Sequence, residues 1–457
     1  MKYDLKPYEK YKTSKQGWLG SIPSHWKEAK SKRMFKETSI KNCPNEELLS
    51  ATQYAGVLPR SMLNTRVVMP TGNLETFKLV NEGNFVISLR SFQGGIEYSK
   101  YRGIVSPAYN ILEDKTDQNK MYYRYLFKCH DFIGELQRNV TGIRQGKNID
   151  VNDFMEVILP IPSSEEQDQI VKFLDFQLAK INKFIKTKKK LISALKDYKQ
   201  AIINEAVTKG ITPNIKKKPS GVDWLGDIPE HWEIRRGKFF FREIDIRSQS
   251  EGDELLTVSH ITGITPRSQK NVTMFKSEST VGYKKCFPNH IAVNTMWAWM
   301  GAIGVSNYQG VISPSYHTYE KIKEDYYSNI YLDNLLRSSE YVSQYRKLST
   351  GIRSSRLRLY PDKFLTLAYI RPPIEEQHEI ERYIESETRL INDVIYRNEK
   401  EIELITEFRT SLISDVVTGK VDVSHIELQN ITEELEHYED EEEEIDIEDA
   451  DLEECEV

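Results

Sequence analysis

Two short segments hold the residues best suited to chemistry. Thr141-Gly142-Ile143-Arg144-Gln145-Gly146-Lys147 and Thr350-Gly351-Ile352-Arg353-Ser354-Ser355-Arg356-Leu357-Arg358 each combine a hydroxyl, a glycine and two or more cations. In such a loop, backbone N–H groups, a hydroxyl and guanidinium groups can converge on phosphates or base edges. The competing structural reading is a solvated turn. What favours the first reading is that the pair belongs to a longer series of matches. Trp18-Leu19-Gly20-Ser21-Ile22-Pro23-Ser24-His25-Trp26 returns as Trp224-Leu225-Gly226-Asp227-Ile228-Pro229-Glu230-His231-Trp232, and Ser106-Pro107-Ala108-Tyr109 as Ser313-Pro314-Ser315-Tyr316. Glu165-Glu166-Gln167 likewise returns as Glu375-Glu376-Gln377. The offset grows only from 206 (Trp18 to Trp224) to 210 (Glu165 to Glu375), so the chain is a tandem duplication with a period far longer than that of a solenoid. Two similar heads imply a ligand with two similar parts.

Pairing across the duplication sorts the candidates. Residues kept in both copies, Arg60 with Arg267 and Arg144 with Arg353, suit phosphate contacts or structure. Residues that differ within a matched frame suit discrimination between bases: Gln53 against His260, Arg90 against Trp297, Gln93 against Met300, Gln145 against Ser354. Arg and Gln can bond base edges bidentately, whereas Trp297 is also a candidate for core packing. Thr141, Lys147, Thr350, Arg356 and Arg358 complete the candidate DNA-binding set. Trp18, Trp26, Trp224 and Trp232 read as packed entry segments rather than as stacking platforms.

Catalytic readings fail on residue type. Ser106-Pro107-Ala108-Tyr109 stands where adenine methyltransferases carry Asn-Pro-Pro-Tyr, but a serine cannot hold an amino group as an Asn side chain does. Pro361-Asp362-Lys363 lacks the second acid of a nuclease, and no phosphate loop, HExxH or GxSxG pattern occurs. Cysteines 43, 129, 286 and 455 are far apart and unmatched between the copies, as expected of reduced thiols in a cytoplasmic protein rather than of a zinc site. Cys286 to Tyr319 has no charged residue, yet Pro288, Asn289, Asn294 and Pro314 interrupt it, so no membrane span is expected. Residues 421–457 hold 18 acids and no Lys or Arg; without them the net charge moves from −6 to +12, a basic body with a self-repelling acidic tail.

The elements that must position these residues repeat as well. Leu48 to Gln53, Phe85 to Leu89 and Gly103 to Leu112 read as strands, as do Leu255 to His260, Ile291 to Met296 and Val311 to Tyr319. Met121 to Arg138 and Asn329 to Leu348 read as helices, giving an α+β head present twice. From Ser164 to Thr208 one seam runs Leu174, Ile181, Lys188, Leu195, Ile202, and its partner Leu178, Ile185, Ile192, Lys199, Ala206. The second copy gives Ile384, Ile391, Asn398, Ile405, Leu412 and Thr388, Ile395, Ile402, Arg409, Val416. These heptads predict two coiled-coil helices, each preceded by a proline (Pro162, Pro372) and followed by a glycine (Gly210, Gly419). An antiparallel pair would relate the two heads by a pseudo-two-fold axis. Separate hairpins or pairing with a second chain are the alternatives. The expected divisions are 1–160 and 213–370 for the heads, 161–212 and 371–423 for the helices, and 424–457 for the tail.

In these motifs the sequence resembles the specificity subunits of type I restriction-modification systems, from about Gly17 to Val423. The resemblance rests on the Trp-Leu-Gly to His-Trp openings, the Thr-Gly-Ile-Arg loops, the proline-led Glu-Glu-Gln helix starts, and Asp415-Val416-Val417-Thr418-Gly419-Lys420 at the second helix end. The first helix ends in a variant, Lys209-Gly210, and the acidic tail lies outside the pattern. Membership implies two target-recognition domains, each reading half of an asymmetric, bipartite duplex, with the helix pair setting the gap. It implies a non-catalytic subunit that docks two methyltransferase and two restriction subunits. S-adenosylmethionine, ATP and magnesium would then belong to those partners, and this chain would hold no metal. A stand-alone DNA-binding regulator or a scaffold is the alternative.

Overall fold

The computed structural model describes residues 5–53, 55–63, 74–116, 118–138, 140–141, 148–269, 279–351 and 357–426, with the backbone alone at 140, 141 and 148. The chain divides into two compact units. One takes the residues up to Lys188 together with those from Lys400 onward; the other is Lys189–Glu399. Each unit therefore contains one head, the first part of one long helix and the last part of the other.

Both heads fold by one plan. In the first, an antiparallel four-stranded sheet runs in the order Phe35–Thr38, Asn110–Asp114, Phe85–Ile87, Glu97–Tyr98. In the second the order is Phe241–Ile244, His317–Lys321, Ile291–Val293, Ile303–Val305. A hairpin stands beside each sheet, Leu49–Thr52 with Gly56–Pro59 and Leu256–Ser259 with Gly263–Pro266. The cores are aromatic. Phe35 lies edge-on to Phe85 and Tyr123, and Phe241 is stacked on Tyr327, an arrangement that fixes ring geometry as well as burying area.

Four expected elements change. The strand expected over Gly103 to Leu112 is two, Gly103–Val105 and Asn110–Asp114, because Ser106-Pro107-Ala108-Tyr109 makes a turn closed by Tyr109 N–H on the Ser106 carbonyl at 3.1 Å. Val311 to Tyr319 divides in the same way into Gly310–Ile312 and His317–Lys321. Each expected helix is likewise two, Lys120–Leu126 with His130–Arg138 and Asn329–Leu336 with Ser339–Leu348. A straight 18-residue helix would extend ~27 Å. The corner instead lets Tyr122, Tyr123 and Leu126, then Phe132 and Leu136, all reach one core.

The long helices span Ser164–Lys209 and Ile374–Val417. In the first unit their segments run antiparallel, with Lys188 paired to Glu401 at 2.7 Å and Arg409 donating to Asn182 at 3.2 Å. In the second unit Lys199 donates to Asn392 at 2.8 Å and Lys196 meets Glu399 at 3.6 Å, again with opposed numbering. Every heptad seam position is buried or half-buried; Lys188, Lys199 and Arg409 find partners on the facing helix, whereas Asn398 is buried and donates to the Val394 carbonyl of its own helix.

The duplicated motifs meet one another. Ser163 and Glu166 form a capping box at the first helix start, Glu166 N–H on Ser163 Oγ and Ser163 N–H on Glu166 Oε2, both at 3.2 Å. The same carboxylate bonds His25 Nε2 at 2.8 Å and accepts from Trp26 Nε1 at 3.2 Å. In the second unit Glu376 does likewise with His231 at 2.6 Å and Trp232 at 3.0 Å. Gln167 and Gln377 are fully buried and complete the junction. Gln167 donates to the Pro162 carbonyl and accepts from Asn119 N–H; Gln377 donates to Pro372 and accepts from Ser328 N–H. Each entry segment also receives a helix end. A Cβ on Gly419 would stand 2.4 Å from Pro23 Cδ, and one on Gly210 3.2 Å from Trp232.

Candidate nucleic-acid interface

The front of the first head is made where the hairpin turn meets the loop after Phe85–Ile87. Gln53 closes the hairpin turn, and Gln93 sits on the short helix Ser91–Gly94. Their amides lie 3.4 Å apart, Gln53 Nε2 towards Gln93 Oε1. Arg90 is exposed at the start of that helix, and its carbonyl accepts from Gln93 N–H at 2.8 Å. Three of the expected residues thus share one surface. Arg60 does not join them: it follows Pro59, at the other end of the hairpin strand, ~10 Å of strand away. Thr141 pairs by backbone with Asn148, and the strand Asn148–Ile149 lies against the short helix Ser91–Gly94. Arg144, Gln145 and Lys147 lie outside the described residues.

The second head fills the same frame with other chemistry. His260 is exposed at the hairpin turn, and Arg267 again stands at the far end. Trp297 replaces Arg90 and is 41% exposed, so the core-packing reading of this residue is wrong. It stacks on Trp299, ring centres 6.0 Å apart and planes 16° apart, with the Arg346 guanidinium 5.5 Å from the Trp299 ring centre. Met300, the counterpart of Gln93, is half-buried. Thr350 and Arg358 are both exposed and exchange backbone hydrogen bonds at 3.0 and 2.9 Å. Leu359 N–H then reaches the Thr295 carbonyl at 3.1 Å, which ties this segment to the tryptophan loop. Arg353 and Arg356 lie outside the described residues. Tryptophans 18, 26 and 232 are buried and Trp224 is half-buried, as packed entry segments should be.

Two cations escaped the sequence reading. At the corner between the short helices of the first head, Lys128 Nζ donates to the Gln53 carbonyl at 3.0 Å, the Gly94 carbonyl at 2.8 Å and Glu97 Oε1 at 2.5 Å. At the equivalent corner Arg337 Nη2 donates to the carbonyls of His260 and Ile261 at 2.9 and 2.8 Å, while Nη1 meets Asp333 at 3.5 Å. Burial lifts the Glu97 carboxyl to about 7 against the pull of Lys128, and its Oε2 has no hydrogen-bond partner among the described residues. Burial also raises Asp333 and lowers Lys128. The register of the duplication, Lys128 against Arg337, was the available signal.

The described residues include no group of three His, Cys, Asp or Glu that could hold a metal, and no helix long and apolar enough to cross a membrane. Cys43, Cys129 and Cys286 are free thiols.

A family model described as the type I restriction modification DNA specificity domain matches residues 23–194. The match spans most of the first head and the first part of its long helix. The chain is also similar to the type I restriction enzyme MjaVIII specificity subunit of Methanocaldococcus jannaschii, 24% identical over 368 residues that cover 76% of this chain and 81% of the relative. Its fold is that of a chain solved in a study of the assembly and conformational transition of the type I R-M system. That match has a TM-score of 0.59 and 12% identity, and covers 87% of this chain and 98% of the other. The HsdS subunit from Thermoanaerobacter tengcongensis matches over the same shares at a TM-score of 0.43 and 14% identity. The second unit, which from residue 195 onward lies beyond the matched residues, repeats the first head's sheet order, hairpin and Glu-Gln junction.

Proposed function

We propose that this chain is the DNA-reading subunit of a type I restriction-modification complex and catalyses no step itself. Each head reads one half of an asymmetric, bipartite duplex target, and the helix pair sets the unread gap. The observation that carries this reading is one frame filled with two chemistries: Gln53, Arg90 and Gln93 on one head, His260, Trp297 and Met300 on the other. A scaffold would have no use for such a difference. Glutamine and arginine suit bidentate bonds to base edges, and an exposed tryptophan suits apolar contact with a thymine methyl or an unstacked base. Arg144, Arg353, Arg356, Arg358 and Lys147 supply phosphate contacts, with Arg60 and Arg267 further out.

The long helices dock the methyltransferase subunits. Leu390, Tyr396 and Leu404 are each more than 60% exposed on helix faces away from the seam, more apolar surface than a helix serving only as a spacer needs. Two methyltransferase and two restriction subunits complete the assembly, and S-adenosylmethionine, ATP and magnesium are theirs. The complex works in the cytoplasm. Mapping adenine methylation in a host with and without this chain tests the reading. A split motif that depends on the chain is expected; its absence, with an active methyltransferase present, would leave a regulator or scaffold.

A further inference from the structure

In both heads a cation sits behind the reading front, at the corner between two short helices. We propose that Lys128 and Arg337 are positioning residues for sequence discrimination, each tying its head's hairpin turn to the core so that the turn presents one fixed pattern to DNA. The inference rests on the DNA-reading function above.

The bonds point the same way in both heads. The Lys128 ammonium holds the carbonyl of Gln53, whose amide faces Gln93, and the carbonyl of Gly94, which ends the short helix carrying Gln93. One head group therefore fixes both loops that bear the polar pair, the kind of support a recognition site needs to hold its geometry. Arg337 holds the two carbonyls of the other turn, at His260 and Ile261. The acids that accompany these cations are not equivalent. Glu97 comes from a sheet strand, Asp333 from a helix, and the strand position matching Glu97 is Gly304, where a Cβ would stand 2.7 Å from Asp333 Oδ1. The duplicated heads have exchanged the acid and kept the cation with its bonds to the turn. A cation present only to neutralise a buried carboxylate would not need those bonds.

The test is selection of bound duplexes from a randomised DNA library by the full chain, alone and with its methyltransferase subunit, followed by sequencing. The unaltered chain should enrich a split motif. Lys128→Met should lower discrimination about tenfold in one half of it and leave the other half sharp, while Arg337→Met does the reverse. Lys128→Arg should restore the blurred half. Glu97→Gln, which keeps the cation and its carbonyl partners, should keep both halves. Equal blurring of both halves by Lys128→Met, weaker binding with selectivity intact, or loss of one half in Glu97→Gln would overturn the positioning role. If Lys128→Met does not fold, Arg337→Met decides at the equivalent corner: blurring confined to one half supports the role, and two sharp halves overturn it. An unaltered chain that enriches no split motif in either form would instead overturn the DNA-reading function itself.

Discussion

Tyr122, on the first head, donates its hydroxyl to the backbone carbonyl of Val417, in the last turn of the second long helix, at 2.7 Å. Tyr331 makes the matching bond to Val207 at 2.8 Å. Both rings are fully buried, and both carbonyls belong to the last turn of a helix, where no intrahelical donor remains. Tyr122→Phe removes a donor without removing volume. It should cost about 1–3 kcal/mol, the desolvation of an orphaned buried carbonyl. Urea unfolding of the full chain measures this, and Tyr331→Phe should lower stability by a similar amount.

Glu166 is a hub as much as a cap. Glu166→Ala would strip partners from His25, from the buried Trp26 indole and from Ser163 N–H in one change. The expected loss is about 2–4 kcal/mol, more than an N-cap alone supplies. Tryptophan emission should shift to the red as Trp26 gains water. Wild-type stability and emission in this variant would mean that the junction is not what seats the head.

The two helix-ending glycines should differ in tolerance. Both have positive φ, +78° for Gly419 and +79° for Gly210, so an alanine at either is strained by about 1 kcal/mol. Gly419→Ala adds contact with Pro23 and with Trp26, 2.9 Å away, whereas at Gly210 the nearest atom is 3.2 Å away. Melting temperature should therefore fall further for Gly419→Ala, and an equal fall would contradict the packing described.

Glu97 makes the first head sensitive to pH. Burial raises its carboxyl from an ordinary 4.5 to about 7, opposed by Lys128 and Arg124. Between those values the folded head keeps a proton that the unfolded chain has released. The stabilisation is thus fully present below pH 4.5 and is lost as pH rises through about 7. Relative to Glu97→Gln, the native protein should lose about 2–3 kcal/mol between pH 5 and pH 8. Chemical denaturation at the two pH values gives the difference directly, and parallel curves would show that Glu97 is ionised throughout.

Trp297→Ala should leave stability within about 0.5 kcal/mol of wild type, because the side chain is exposed, and should relax base preference in only one half of the target. Gln93→Ala should relax the other half by about 1–3 kcal/mol of discrimination. Competition between duplexes altered in one half at a time separates the two. A loss shared by both halves would remove these residues from direct reading.

Local signals made much of this legible. Heptad spacing with proline and glycine at the ends placed both long helices within a few residues, and the duplication announced two heads of one plan. The breaks were harder. Lys128 and Arg337 occupy corners inside what periodicity reads as continuous helices, because the apolar faces on either side share one helical period. Trp297 could be read from sequence as a base-reading position or as core; its exposed stacking on Trp299, beside Arg346, is made only by the folded loop. The junction of His25 and Trp26 with Glu166 joins residues about 140 apart, and no pattern in either segment names the other.

The way the units are assembled governs when each can form during synthesis. The second unit is a single stretch, Lys189–Glu399, and is complete before the segment from Lys400 that belongs to the first unit is made. The first head emerges earlier, but the helix end that covers Pro23 and Trp26 and satisfies Tyr122 is translated more than two hundred residues after Lys188. At ~5–20 residues per second that is a delay of roughly 10–40 s. Maturation on the ribosome therefore runs against chain order, and the first head's seat for the helix end stays open until the residues around Val417 have been made.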